Sequence, residues 1–201
     1  MTYNRFSGRN VERIVVVADG VFAVAMTLLV LDLRLPAEKA ADDHALWSQL
    51  TGLAPQVAAY ALSFTMLGTF WLAVHTVLAQ LHSSDRHLAW SVLSFLFFVT
   101  TLPFTASVLA DHVHLRLAVG LYWLNLLLLG AGLAWQLWHA QRAGLIDDAG
   151  ALRVTRRRLV FAQSLYAAAA LLTFANPIAA VIGLACVQLF FMISPRLPWD
   201  V

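Results

Sequence analysis

The sequence predicts an all-α polytopic membrane protein with six transmembrane helices, cytoplasmic N- and C-termini, and a single domain over residues 1–201. Three observations predict it. The chain is 61% hydrophobic and 12% charged, with a mean hydropathy of +0.75, whereas soluble domains run about 45–50% apolar and about 25% charged. Apolar runs lie near 13–35, 52–78, 88–110, 115–139, 157–175 and 177–194. The first four are long enough to cross a hydrocarbon core ~30 Å thick. Arginine and lysine are also unevenly placed. With the N-terminus inside, Arg5, Arg9, Arg13, Arg86, Arg142, Arg153, Arg156, Arg157, Arg158 and Arg196 fall on one side, and Arg34, Lys39 and Arg116 on the other. That asymmetry is the positive-inside bias, so the pI near 9.0 reads as membrane topology and not as nucleic-acid binding.

Taken in order, the first run, Arg13 to Leu35, is too long for a signal-peptide core. The loop from Pro36 to Gln49 carries charges of both signs and is expected to be external and partly helical. The fifth and sixth runs are separated by Asn176-Pro177. Proline tolerates a helix start but not a helix interior, so a tight helical hairpin is expected there. Arg156-Arg157-Arg158 reads as a topology anchor at the cytoplasmic interface, in preference to a lipid-specific site. Trp123, Trp135, Trp138 and Trp199 lie near span ends, as interfacial aromatics do. Ser94 and the run Ala167 to Ala170 read as small residues that let helices approach. The lone Cys186 excludes an intrachain disulfide.

The first run has two faces. At 100° per residue, Val24, Leu28 and Leu31 fall within roughly 60° of arc, flanked by Gly20 and Thr27. Asp19 points almost the opposite way. An acid inside such a helix costs about 2.5–3.5 kcal/mol, so it needs a partner. Arg13 lies on a different face and snorkels to the inner interface. His75 lies one turn after Trp71 on one face of the second run and is a candidate partner for Asp19. The plainer reading of His75 is a histidine that only fixes helix packing.

These residues carry a resemblance. Arg13, Val17-Ala18-Asp19-Gly20-Val21-Phe22-Ala23-Val24-Ala25-Met26-Thr27-Leu28-Leu29-Val30-Leu31 resembles the R-x-x-x-F-S-D-G-V-F-A-I-A-I-T-L-L-V-L motif of the TMEM175-like potassium channel family. Tyr60, Ser63-Phe64, Phe70-Trp71 and His75 match its second helix, and Trp90 and Leu102-Pro103-Phe104 its third. The resemblance implies a homo-oligomer, expected as a tetramer, whose first helices line a pore. Val24 then takes the position of a narrow isoleucine constriction, with Leu28 and Leu31 one and two turns further on. Arg13, Asp19, Gly20, Trp71 and His75 become a motif and packing network. Two departures stand out: Val17-Ala18 replaces Phe-Ser, and Val92 replaces an asparagine. A hydroxyl and an amide near the acid are thereby lost.

No HExxH, GxSxG or phosphate-loop pattern occurs, so no catalytic residue and no enzyme activity are expected. Asp111, His112, His114 and Arg116 form a polar cluster better read as an ordinary loop than as a metal site. No metal and no cofactor are expected, and potassium is the permeant species. There is no TVGYG-type carbonyl filter, so discrimination would rest on narrowness and dehydration, helped by the Thr27 hydroxyl. The expected function is a potassium-permeable channel subunit in the cell membrane, partnered by the bilayer and by copies of itself. The alternatives are a proton-coupled or small-solute transporter using Asp19 and His75, and a non-conducting scaffold.

Overall fold

The structure, a computed structural model, describes residues 11–146 and 149–193. Arg5, Arg9, Arg196 and Trp199 lie outside the described residues. The described chain is all-helical: α1 (Val11–Leu29, continued by a 3-10 turn at Val30–Asp32), α2 (Asp43–Gly52), α3 (Ala54–Leu78), α4 (Arg86–Asp111), α5 (Arg116–Arg142), α6 (Ala149–Leu171, continued by a 3-10 turn at Leu172–Phe174) and α7 (Pro177–Ile193). Seven helices are therefore present where six spans were expected. The addition is α2, which starts inside the loop expected to be partly helical and runs on to Gly52. Among the described residues, four segments are long and apolar enough to cross a membrane: Val11–Asp32, Ala54–Leu78, Arg86–Asp111 and Arg116–Arg142. α7 is a shorter apolar helix. The first half of α6 carries Arg153, Arg156, Arg157 and Arg158, which keeps its apolar stretch short.

Local chemistry fixes the helix ends. The Asp42 carboxylate accepts from the Ala45 amide at 2.7 Å and starts α2. Asp85 does the same for α4 through the Leu88 amide at 2.7 Å. Gly144, with φ of 65°, ends α5. Its left-handed conformation lets the Leu145 amide reach the Ala140 carbonyl at 2.9 Å and its own amide reach Gln141 at 3.3 Å, the Schellman pattern. The Asn176-Pro177 turn forms as expected. The Asn176 carboxamide oxygen accepts from the Ile178 amide at 2.8 Å, with Pro177 at the first position of α7.

Phe95 of α4 is the centre of the packing. Its ring lies 6.1 Å from Phe22 of α1 and 6.3 Å from Phe70 of α3. A Cβ placed on Gly132 of α5 would come 3.2 Å from the Phe95 side chain. One side chain therefore joins four helices. Lipid tails are as apolar as leucine, so cohesion in a bilayer rests on such close packing and on interhelical hydrogen bonds. α7 is tied in by polar contacts. The Tyr166 hydroxyl donates to Gln188 Oε1 at 2.8 Å, and Gln188 Nε2 donates to the Thr69 hydroxyl of α3 at 2.7 Å. Ala169 fulfils its expected role, since a Cβ at Gly183 would meet it at 3.2 Å. Ser94 does not. It is exposed on α4 and its hydroxyl turns back to the Trp90 carbonyl at 2.9 Å.

Candidate functional site

α1 is amphipathic in an unusual sense, because both its faces are apolar and only one is covered. Ala18, Phe22, Ala25 and Leu29 are buried against α3 and α4. On the other edge Val24 is 56% exposed, Leu28 43% and Leu31 56%. Gly20 and Thr27 beside them are exposed too. Only 22% of the most apolar window of α1 is buried, against 39%, 50% and 44% in α3, α4 and α5. The bare edge thus belongs to the least buried of the four span-length helices. The Thr27 hydroxyl donates to the Val24 carbonyl at 2.8 Å. That bond uses its proton and leaves oxygen lone pairs on the exposed edge.

Asp19 leaves this edge and reaches α3. Trp71 Nε1–H donates to Asp19 Oδ1 at 2.8 Å, and His75 Nε2–H donates to the same oxygen at 2.7 Å. The two donors sit one turn apart on α3, their rings 4.6 Å between centroids. Their side-chain exposures, 30% for His75 and 45% for Asp19, place the pair at the rim of the packed body and not in its core. The carboxylate is thereby tied to one helix by two charge-assisted bonds. Arg13 is exposed in the first turn of α1. Ala18 and Val92, which replace the motif's serine and asparagine, are both buried in the core cluster, whereas Val17 is exposed. With no hydroxyl or amide there, the acid draws its hydrogen bonds from Trp71 and His75.

Sequence reasoning missed a second carboxylate–imidazole pair. Both oxygens of Asp85, the cap of α4, accept from His139 Nε2 in the last turn of α5, at 3.0 and 2.9 Å. The ring of His87 lies 5.8 Å from that of His139. Ser84-Asp85 before an apolar run signals a helix cap, but nothing local points to a histidine so far along the chain. It also missed Asn125 of α5, whose amide donates to the Thr101 hydroxyl of α4 at 2.6 Å. Asp111, His112 and His114 are exposed, and no cluster of three or more metal-ligating side chains occurs among the described residues.

Comparison with known proteins bears on what this arrangement serves. Residues 13–103, which contain all but the first two residues of α1 and the Asp19, Trp71 and His75 contacts, match the family model described as endosomal/lysosomal potassium channel TMEM175. A potassium channel of Streptomyces collinus is 36% identical over 156 residues, 73% of this chain and 74% of that one. A potassium channel of Chamaesiphon minutus is 34% identical over 114 residues, 55% and 56% of the two chains. The crystal structure of a lysosomal potassium-selective channel TMEM175 homolog from Chamaesiphon minutus superposes with a TM-score of 0.80 at 25% identity, covering 92% of this chain and 97% of that one. With a relative this similar over nearly three quarters of both chains, and a fold shared almost end to end, this multi-pass membrane protein belongs to the TMEM175 potassium channel family.

Proposed function

We propose that copies of this chain, four about one axis, form a potassium-permeable channel whose path is lined by α1. The observation that carries the reading is the bare edge of Val24, Leu28 and Leu31 on the least buried of the four span-length apolar helices. Such an edge needs a partner, and one α1 cannot enclose a pore, so symmetry supplies the other walls. At each level the subunits contribute a ring of branched aliphatics. The ring gives no ligands in return for an ion's lost water, so it limits passage by narrowness and dewetting. Thr27 lone pairs supply oxygen beside it. The arginine asymmetry supports six membrane spans with both termini cytoplasmic, α6 and α7 crossing as a hairpin. No residue is assigned a catalytic role. Of the expected packing network, Asp19, Trp71 and His75 hold α1 to α3, whereas Arg13 and Gly20 are exposed, with nothing within 4 Å of a Cβ at Gly20.

The 2.7 Å contact between Asp19 and His75 favours one other reading, a proton-coupled transporter relaying through that pair. Reconstitution into potassium-loaded liposomes separates the two. Efflux that follows the potassium gradient with no imposed pH gradient supports the channel. Flux that requires a pH gradient supports the transporter and overturns the channel. No flux under either gradient overturns both and leaves a scaffold.

A further inference from the structure

A cleft of about 390 Å³ opens between the start of α4 and the end of α5. Its walls are the exposed side chains of Trp90, Ser94, Trp135 and Trp138, and His87 and His139 close one end. The cleft is therefore amphipathic along its length. At the polar end the Asp85 carboxylate is bound to the Leu88 amide and to His139, so the acid is occupied by the protein itself. What this end offers a visitor is cationic. The Arg142 guanidinium stacks over Trp138, 4.4 Å from the ring centroid, and Arg86 is exposed at the first position of α4. At the other end α4 continues with exposed Phe97 and Phe104, which follow Trp90 and Ser94 on one face at helical spacing.

We propose that this cleft binds an anionic phospholipid, its phosphate at Arg142 and Arg86 and one acyl chain along the Trp90–Phe97–Phe104 face. Three facts select this occupant. α4 and α5 are both apolar enough to span a bilayer, so the cleft opens at the level where the two helices leave the hydrocarbon. Tryptophan rings suit that level, being apolar in body with one polar N–H. A second copy of the chain is a poorer fit, because at this level the chain also exposes Arg153, Arg156 and Arg157 at the start of α6 and would bring like charge. A phosphate at this rim gains from Arg142 and Arg86, and stacking on Trp138 keeps Arg142 positioned without help from an acid. The inference rests on α4 and α5 crossing a membrane and does not depend on which ion the protein passes.

Native mass spectrometry of the detergent-solubilised protein, titrated with phosphatidylglycerol and in parallel with phosphatidylcholine, tests it. Phosphatidylglycerol is retained in preference. Arg142→Ala lowers its retention about fivefold, the factor one interfacial arginine contributes. Arg116→Ala, at the opposite end of α5, leaves retention unchanged. Ser94→Trp fills an exposed position in the cleft without touching the basic rim and also lowers retention, so the test survives a poorly folding Arg142 variant. Equal retention of the two lipids, equal loss in the Arg116 and Arg142 variants, or no loss in the Ser94→Trp protein overturns the site. So does an intersubunit disulfide through Ser94→Cys in a Cys186→Ala background, because the cleft would then be covered by protein.

Discussion

Asp85 and His139 are 54 residues apart in sequence and 2.9 Å apart in space. One carboxylate caps α4 and holds the last turn of α5. Burial pushes the Asp85 carboxyl up, but bonds from the Leu88 amide and the His139 ring, with the nearby charges of His139 and His87, outweigh it and leave the group below its ordinary value. A carboxyl whose folded value lies below its unfolded one stabilises fully above the unfolded value, about 3.9, and loses that contribution as pH falls through the lower folded value. Thermal melts of the detergent-solubilised protein are therefore expected to drop on acidification below about pH 4. Asp85→Asn keeps a capping oxygen but cannot titrate, and its melting temperature should follow pH less steeply. Parallel pH profiles would contradict the assignment. Asp85→Ala, which loses the cap as well, should cost about 0.5–2 kcal/mol at neutral pH.

Gly130 of α5 and Gln163 of α6 make the second prediction. A Cβ at Gly130 would collide with Gln163 Nε2, the atom that donates to the Leu126 carbonyl at 3.2 Å. Gly130→Ala therefore forces the amide away and removes an interhelical bond worth roughly 0.6–1.7 kcal/mol in a membrane protein. In a Gln163→Ala background the same substitution meets no obstacle and should be nearly neutral. Denaturation of the four proteins gives the coupling directly. A Gly130→Ala cost that persists without Gln163 would place the strain elsewhere.

How far these features were legible from sequence depends on their range. Helix positions were, because apolar runs and helix breakers act locally. The observed ends of α3, α4, α5 and α7 lie close to the expected ones, and the Asn176-Pro177 turn sits where proline chemistry put it. The two faces of α1 were also legible, because helical phase alone separates Val24, Leu28 and Leu31 from the buried Ala18, Phe22, Ala25 and Leu29. Ser94 was misread because smallness says nothing about phase. Ser91, three residues earlier, is the buried serine of α4, and Ser94 faces outward. The Asp85–His139 pair and the Thr69–Gln188–Tyr166 chain join residues from distant segments, and no local pattern specifies which helices meet. α2 was only half visible, because a helix of ten residues with mixed charge and apolar side chains resembles a loop until its Asp42 cap is recognised.

Asp19 should act on assembly more than on ion choice. It lies away from the bare edge and accepts from Trp71 and His75. Asp19→Asn removes the charge that strengthens both bonds, roughly halving them. The expected result is a lower yield of folded oligomer on size-exclusion chromatography, with ion selectivity unchanged in the protein that survives. Trp71→Phe, which keeps the ring but loses the N–H donor, should lower the yield in the same direction. A well-folded Asp19→Asn protein with altered selectivity would move this carboxylate into the ion path.

The last prediction concerns the constriction. Val24 is one methylene smaller than the isoleucine of the family motif, so in the proposed pore the narrowest ring should shift one turn outward to Leu28. Leu28 is exposed in the single chain and carries no polar atom, so its ring opposes a hydrated ion by size and by the absence of ligands. Leu28→Ala widens the ring and Leu28→Asn wets it. Both should raise potassium flux in liposomes and weaken discrimination against sodium. Val30 is as exposed as Leu28 but sits about 160° further round at 100° per residue. Val30→Ala removes a similar amount of apolar surface from a face turned away from the axis and should leave flux and selectivity as they were. Comparing the two positions separates a pore effect from a general loosening of α1, since both substitutions loosen the helix but only one opens the ring. Equal effects at both positions, or none at Leu28 in protein that conducts, would remove Leu28 from the ion path.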